Sequence, residues 1–267
     1  MLLASFRAYG NAEQDDLWRF LTQEATASRL LDRDISVKQI MDTWTLQIGF
    51  PVLKVTPHPN TNVIQLQQQR FQYVNTTLSQ TSNHTSKHQT PNATEQMEDP
   101  LWWIPITYTT AEELNFENTR PLTWIPCTRS YEIEDRNLST AKWYIFNIQQ
   151  TGYYRVNYHK ENWQAIIEHL MMPQMYQQIA TSNRAQLLDD VLNLARGGYV
   201  SYDIALNMTR YLKHESEHVP WKAAIMAYDF IDRMFVSQGD YDLLKVSLSV
   251  IKIICISFDM ILFRTTC

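Results

Sequence analysis

Two histidines and a glutamate with the spacing of a zinc-protease motif lie in the last quarter of this 267-residue chain. His214, Glu215 and His218 spell H-E-x-x-H. On a single helix, residues at i and i+4 lie one turn apart, so both imidazoles can bind one Zn²⁺ while the glutamate activates a zinc-bound water. The motif alone therefore favours metal-dependent hydrolysis, and its surroundings must decide whether it forms a metal site.

The composition is that of a globular chain with enough apolar residues to bury a sizeable core. Hydrophobic residues make up 45% of the sequence, aromatic residues 12%, and the net charge is −5. The length favours one to three domains. Because the chain is mildly acidic and has no basic stripe interleaved with aromatics, nucleic acid is excluded as a partner. The three cysteines lack C-x-x-C spacing, which indicates neither a structural zinc site nor a dense disulfide framework.

Five N-x-[S/T] sequons favour an extracellular or secreted protein. Their candidate glycosylation sites are Asn75, Asn83, Asn92, Asn137 and Asn207. Three of the five fall within one short stretch. The first seven residues lack the basic region and the apolar length of a signal peptide, so an extracellular protein beginning there is expected to be a fragment. The apolar stretch 246–263 contains Lys252 and Asp259, which makes it a poor transmembrane candidate.

The periodicity of apolar residues divides the chain into three parts and predicts a multidomain α+β protein. Residues 1–45 and 159–245 show helical periodicity, whereas residues 46–158 alternate with a period of two and predict an antiparallel β-sandwich of roughly seven short strands. Gly197-Gly198 is expected to end one helix and Ser201 to begin the next. Residues 75–99, nearly all polar, predict a mobile hairpin loop. The consecutive helices after the sandwich indicate an antiparallel helical array.

Four segments, in the same order, resemble the aminopeptidase N family of zinc exopeptidases. The segments are A-Y-G-N-A at 8–12 with D-L-W at 16–18, M-D-T-W-T-L-Q-I-G-F-P-V at 41–52, Q-T-G-Y-Y-R-V-N-Y at 150–158, and N-R-A-Q-L-L-D-D at 183–190 leading to L-A-R at 194–196. The resemblance covers about residues 1–243, and the sequence looks most similar to those of insect midgut members. Residues 246–267 resemble no part of the family pattern.

What the resemblance implies is a membrane-associated ectoenzyme of four domains that removes N-terminal amino acids from peptides. One zinc is held there by H-E-x-x-H and a glutamate 19 positions later, and a G-[AG]-M-E-N loop holds the substrate's amino terminus. Both belong to the region before the 41–52 segment, and neither occurs there in this chain. By resemblance, residues 1–45 are the last helices of a thermolysin-like catalytic domain, 46–158 the sandwich, and 159–245 the beginning of the C-terminal helical domain.

The order and spacing of the family's segments also help to interpret the motif at 214–218. It falls where family members have the end of a helix, and the position 19 residues after His218 is Ser237, not a glutamate. Val219 precedes a proline and is pushed out of the helical region, which would leave His218 at or beyond a fraying, solvated helix end beside Lys213. We therefore interpret His214, Glu215 and His218 as a chance match, with no catalytic and no metal-binding residue in this chain.

The sequence thus predicts a fragment of a zinc-dependent aminopeptidase that is inactive by itself and binds no zinc. Its expected location is the extracellular face of the plasma membrane or the extracellular space. The expected substrates of the complete enzyme are peptides, and its membrane anchor is expected in segments outside this chain. A homodimer is a further possible assembly. The alternative is a non-catalytic, glycosylated ectodomain that serves as a receptor surface for ligands or toxins. A third reading is a fragment that does not fold stably. For residues 246–267, the hypothesis is an unspliced or mispredicted gene end.

Overall fold

The computed structural model describes residues 13–31, 34–59, 61–73 and 99–235. Within these residues it contains seven α-helices and eight β-strands. The segment 8–12, nearly all of the predicted loop 75–99, the sequons at Asn75, Asn83 and Asn92, and the tail 246–267 lie outside the described residues. The described part is a mixed α/β structure with small sheets, which is compatible with the α+β class predicted from the sequence.

Among the described residues, two helices precede the strands, four follow them, and one short helix lies between the sixth and seventh strands. The helices are α1 Gln14–Ala27, α2 Val37–Thr45, α3 Arg136–Thr140, α4 Lys160–Met171, α5 Thr181–Arg196, α6 Tyr202–Thr209 and α7 His218–Phe235. The strands are β1 Pro51–Pro57, β2 Val63–Arg70, β3 Ile104–Ile106, β4 Tyr108–Thr110, β5 Thr123–Ile125, β6 Ser130–Glu134, β7 Tyr144–Phe146 and β8 Arg155–Tyr158. Short 3₁₀ turns occupy Ile148–Gln150, Tyr176–Gln178 and Arg210–His214.

The strands form one four-stranded sheet and two pairs. The larger sheet has the order β6-β2-β1-β8, while β3 pairs with β5 and β4 pairs with β7. All pairs are antiparallel except β1 with β8, whose residues Val52 to Val55 lie parallel to Arg155 to Tyr158. The expectation of a purely antiparallel region is therefore wrong at this edge. The two strands are joined by a long connection and not by a hairpin, so the chain can enter β8 in the same direction as β1.

One hydrophobic core runs through the sheets and the helices after them. It contains the fully buried side chains of Trp102, Trp143, Trp163 and Tyr211, the first two from the strand region and the last two from the helical region. The predicted domain boundary between residues 158 and 159 thus lies inside a continuous packed cluster, and it stays a prediction. The helix pair α1 and α2 buries Trp18 and Ile40 separately from this core.

In the helical region, α5 ends at Gly197-Gly198 and α6 begins after Ser201, as the sequence predicts. Gly197 follows the last residue of α5, and a side chain there would lie 2.7 Å from the Tyr199 ring and 3.2 Å from the carbonyl oxygen of Gln72. Gly198 adopts a left-handed conformation with φ 76°, which favours glycine. Ser201 then caps α6 by accepting a hydrogen bond from the Asp203 amide. Helix α5 packs against both α6 and α7 and forms the centre of this region.

Candidate functional site

The two histidines of the H-E-x-x-H motif lie in two different helices. His214 is the last residue of the 3₁₀ turn Arg210–His214, and His218 is the first residue of α7. Between them Glu215 has an extended backbone, with φ −75° and ψ 128°. His218 lies beyond the end of the turn that contains His214, but Val219 is helical, so the expectation that Val219 leaves the helical region is wrong. A new helix begins at His218 and accommodates Pro220 in its first turn, where a missing N–H costs little.

Glu215 is not solvated, contrary to the expectation for this segment, but forms a buried ion pair with Arg184 of α5. The Arg184 Nε donates to Oε2 at 2.6 Å and Nη2 donates to Oε1 at 3.0 Å. The two side chains are only 4% and 0% exposed. The amides of Ser216 and Glu217 also donate to Oε1, each at 3.0 Å. Since both carboxylate oxygens accept hydrogen bonds from the protein, Glu215 is not placed to activate a zinc-bound water.

The donor set at 214–218 does not fit the zinc centre of the family. That centre needs both imidazoles on one helix face, whereas here three non-helical residues separate the histidines and the glutamate is paired with Arg184. Across the residues that the structure describes, no group of three or more His, Cys, Asp or Glu side chains is arranged to hold a metal ion. The interpretation that this chain has neither a metal site nor catalytic residues stays a prediction.

A second charged cluster joins strand β8 to helix α5. The Nη1 atom of Arg155 donates to Asp189 Oδ2 at 2.6 Å and to Asp190 Oδ1 at 3.0 Å. The second oxygen of Asp190 accepts from the Val156 amide at 3.1 Å, so the same carboxylate binds both the side chain and the backbone of β8. Burial raises the pKa of Asp190 to about 7; the Arg155 guanidinium opposes this rise and the neighbouring Asp189 adds to it.

Amide side chains next to this cluster hold a strained turn between β7 and β8. Asn147, Gln149 and Gln150 all have left-handed backbones, with φ values of 63°, 54° and 55°. The Asn183 side chain accepts from the Gln149 amide at 2.8 Å and donates to the Asn147 carbonyl at 3.1 Å. Asn147 itself accepts from the Gly152 amide at 2.8 Å. These bonds stabilise a conformation that is costly for residues other than glycine.

The turn and the Arg155 cluster line a cavity of about 550 Å³. Its walls include the rings of Phe50, Phe71 and Tyr153, and the Arg155 guanidinium lies 5.8 Å from the centre of the Phe50 ring and 5.1 Å from that of Phe71. Asp189 and Asp190 also line the cavity. The arrangement can position a planar cation between rings and carboxylates, but Arg155 of the chain itself already occupies that position.

Of the five candidate glycosylation sites, two lie in the described residues. Asn137 is exposed in α3, and Asn207 is exposed in α6. The Asn207 side-chain oxygen accepts a hydrogen bond from Arg210 at 3.2 Å. Glycosylation at all five asparagines stays a prediction. In the described ranges, every helix is too short or too polar to cross a bilayer.

Comparison with known proteins finds relatives over most of the chain. The family model described as ERAP1-like C-terminal domain matches residues 143–251. Aminopeptidase N of Plutella xylostella is 34% identical over 208 residues, covering 77% of this chain and 20% of the relative. The thyrotropin-releasing hormone-degrading ectoenzyme of Mus musculus is 32% identical over 236 residues, covering 88% and 20%. Aminopeptidase N of Rattus norvegicus is 32% identical over 238 residues, covering 89% and 22%.

The fold and these matches define the class to which the chain is related, namely the aminopeptidases. More closely, the chain is aminopeptidase N-like, so the resemblance drawn from its four ordered segments is confirmed. It spans about a fifth of the length of the relatives it matches. Because insect and mammalian relatives match at similar identity, the closer resemblance to insect midgut members stays a prediction.

Neither ion-pair cluster was predicted from the sequence, although Arg155, Arg184, Asp189 and Asp190 lie in segments that carry the family resemblance. Arg184 and Asp190 lie among the buried residues of α5 and are 3% and 2% exposed. Buried charges of this kind need partners, and Arg184, one turn before Leu188 on the apolar stripe, was a signal that pairing was required. Their partners Glu215 and Arg155 lie on other elements, and no local spacing pointed to them.

Proposed function

We propose that this chain is a segment of a zinc-dependent aminopeptidase that removes N-terminal amino acids from peptides, and that it supplies sandwich and helical cap but no catalytic residue. The single observation that carries the proposal is the buried Arg184–Glu215 ion pair, which gives the glutamate of the H-E-x-x-H motif a structural task. The peptidase names of the relatives support the class of reaction. The chain's own residues therefore shape and support the enzyme, while zinc and its ligands belong to other parts of it.

Four parts make up this segment in the proposal. Residues 1–45 are the last helices of the catalytic domain, 46–158 the sandwich, 159–245 the beginning of the helical domain, and 246–267 a tail of non-family origin. The family model at 143–251 extends past both ends of the third part, so it supports a helical domain here but neither of these boundaries. The separate burial of Trp18 and Ile40 in α1 and α2 supports a distinct first part. The Arg155 cluster supports a firm attachment of the sandwich to the helices, because one carboxylate of α5 binds both the side chain and the backbone of β8.

The proposed location is the extracellular face of the plasma membrane or the extracellular space. The words ectoenzyme and membrane in the names of relatives support it, and so does the exposure of Asn137 and Asn207. Anchoring would use segments other than those described, and peptides would be the partners of the complete enzyme, with a homodimer as its proposed assembly. The alternative of a receptor surface without enzymatic context is not favoured, because the relatives are named as peptidases.

A chimeric enzyme tests the scaffold role. In the aminopeptidase N of Plutella xylostella, the segment that aligns with this chain is replaced by the corresponding residues of this chain. Hydrolysis of leucine p-nitroanilide by the chimera at the cell surface is the expected result. The matched control carries Arg184→Met in the same chimera and should lose surface expression. A chimera that reaches the surface, folds, and hydrolyses nothing would overturn the proposal.

An assay of the isolated 267-residue chain tests the absence of catalytic residues. The purified chain is incubated with leucine p-nitroanilide and added Zn²⁺, beside its His214→Ala variant and a His58→Ala control on an exposed turn. We expect no release of nitroaniline by any of the three proteins. Zinc-dependent release that persists in His58→Ala and disappears in His214→Ala would show that the motif is catalytic after all.

A further inference from the structure

Arg196, the last residue of α5, is held between two aromatic rings from different elements. Its guanidinium carbon lies 3.8 Å from the centre of the Phe230 ring in α7 and 4.0 Å from the centre of the Tyr73 ring that follows β2. Both distances are well inside the range of cation–π interactions. The two rings cover the two faces of the guanidinium plane and leave its edge, which carries the N–H donors, outside the stack.

The donors of Arg196 have no acceptor among the described residues, where the side chain forms neither a hydrogen bond nor an ion pair. Arg155 and Arg184, in contrast, each bind carboxylates within 3.0 Å. A basic residue at the end of a helix also interacts favourably with the helix dipole. That interaction explains a positive charge at this position, but it uses neither the planar stacking nor the five N–H donors of an arginine.

A cavity of about 240 Å³ adjoins the guanidinium. Its apolar walls come from Leu192, Met226, Ala227, Phe230 and Ile231, and its polar walls include Arg155, Asn193 and Tyr202. Asp189 also reaches this cavity, but its carboxylate accepts from Arg155 at 2.6 Å, so its repulsion of an anion is reduced. The site therefore places a guanidinium that is exposed to solvent and stacked on two rings beside a small cavity with apolar and polar walls.

We propose that Arg196 and this cavity form a binding site for small carboxylates that carry an apolar group. The guanidinium fork matches a carboxylate in a bidentate geometry, and the cavity buries the apolar part of the ligand. The rings of Tyr73 and Phe230 fix the fork before binding, which lowers the entropy lost on association. This site is independent of the proposed peptidase role, since it needs no zinc and no free amino group on the ligand.

Isothermal titration of the full 267-residue chain with N-acetyl-leucine and with N-acetyl-leucinamide tests the role of the carboxylate. The two probes share the apolar group and differ in the negative charge. We expect saturable binding of the acid at one site and binding of the amide that is weaker by about tenfold or more. Equal binding of acid and amide, or no saturable binding of the acid to the folded chain, would overturn the proposal.

Variants assign the binding to Arg196. Arg196→Lys keeps the charge but loses the planar fork, so its affinity for N-acetyl-leucine should fall by about tenfold, and Arg196→Gln should abolish binding. Arg129→Gln, which removes an exposed arginine on another surface, should bind as the parent chain does. Circular dichroism establishes that each variant is folded before titration. Unchanged affinity in a folded Arg196→Gln variant would assign the acid to another surface and contradict the proposed site.

Discussion

The two ion-pair clusters use helix α5 in different ways. Near its beginning, Arg184 faces one carboxylate, and both side chains are almost completely buried. In its middle, Asp189 and Asp190 share the single guanidinium of Arg155, and Asp189 keeps about a third of its side-chain surface exposed. The first cluster balances its charges away from water, whereas the second has one carboxylate more than it has cations and borders a cavity.

The difference shows how burial decides the energetic role of a charge. A closed, buried pair contributes little net stability by itself, but removal of one member leaves an uncompensated charge in the core. Breaking an ion pair that water can reach lowers the stability of the protein much less, because solvent replaces the missing partner. We therefore expect the largest cost on loss of Arg184, a smaller cost on loss of the buried Asp190 carboxylate, and the smallest on loss of the partly exposed Asp189 carboxylate.

The largest effect is expected from Arg184→Met. It leaves the carboxylate of Glu215 buried without its cation, which should lower the free energy of unfolding by about 3–5 kcal/mol. Urea denaturation followed by circular dichroism measures the loss. In the double variant Arg184→Met, Glu215→Leu, where no charge remains, a large part of the loss should be recovered. A cost of less than about 1 kcal/mol for the single variant would contradict the comparison.

A smaller loss is expected from Asp190→Asn. The amide keeps the shape of the carboxyl group, but it cannot accept from both Arg155 and the Val156 amide with two oxygens, so the attachment of β8 to α5 weakens. The expected cost is about 1–3 kcal/mol by urea denaturation. Hydrogen exchange should locate the change, with faster exchange of the amides of β8 than in the parent chain. Unchanged protection of these amides would show that Asp190 does not hold the strand.

A still smaller effect is expected from Asp189→Asn. The side chain is about a third exposed, and Arg155 keeps its bond to Asp190, so the cost should be about 0.5–1 kcal/mol at low salt. Because salt screens accessible pairs, the difference from the parent chain should shrink in 1 M NaCl. Denaturation at both salt concentrations, with Asp190→Asn as the buried comparison, measures this. An equal salt response of the two variants would mean that they do not differ in solvent access.

His169 lies outside both clusters, and we expect its substitution to change the stability of the protein only at mildly acidic pH. Burial lowers its pKa below the usual value of 6.5, and a backbone hydrogen bond with Met175 opposes this shift. The folded state thus favours the neutral ring, and the stability it contributes is present above pH 6.5 and lost as the pH falls below it. Denaturation between pH 7.5 and 5.5 should show a shallower fall for His169→Gln than for the parent chain or for an exposed His58→Gln control.

Local signals in the sequence predicted many of the helices and strands, together with several of their boundaries. The end of α5 at Gly197 and the beginning of α6 after Ser201 were predicted, because their causes lie within a few residues. The period of two, in contrast, continues from Trp102 to Tyr108 without a break, whereas the structure divides this stretch between two strands in different sheets. Between them, Thr107 bonds the turn after β7, with its carbonyl oxygen accepting from the Asn147 amide at 2.9 Å. The pairing partners are distant in sequence, so alternation alone could not reveal the break.

At the candidate site, too, a local signal in the sequence does not reveal a partner that is distant along the chain. The H-E-x-x-H spelling is a local signal, and it predicted a helix face that the structure does not form. In the structure Glu215 binds Arg184, which lies 31 positions earlier and which no local pattern indicates. The family resemblance, which compares long ordered segments, was confirmed, because it does not depend on a single local motif.

The parallel pairing of β1 with β8 has a consequence for synthesis on the ribosome. β1 and β2 emerge together and can pair at once, but β8 follows only after the stretch that contains β3 to β7. At typical rates of translation this delay is on the order of ten seconds. Meanwhile the edge of β1 at Val52 to Val55 is open to other nascent chains, since an unpaired strand edge is a template for association. Chaperone binding to this edge during translation would protect the chain until its own β8 arrives.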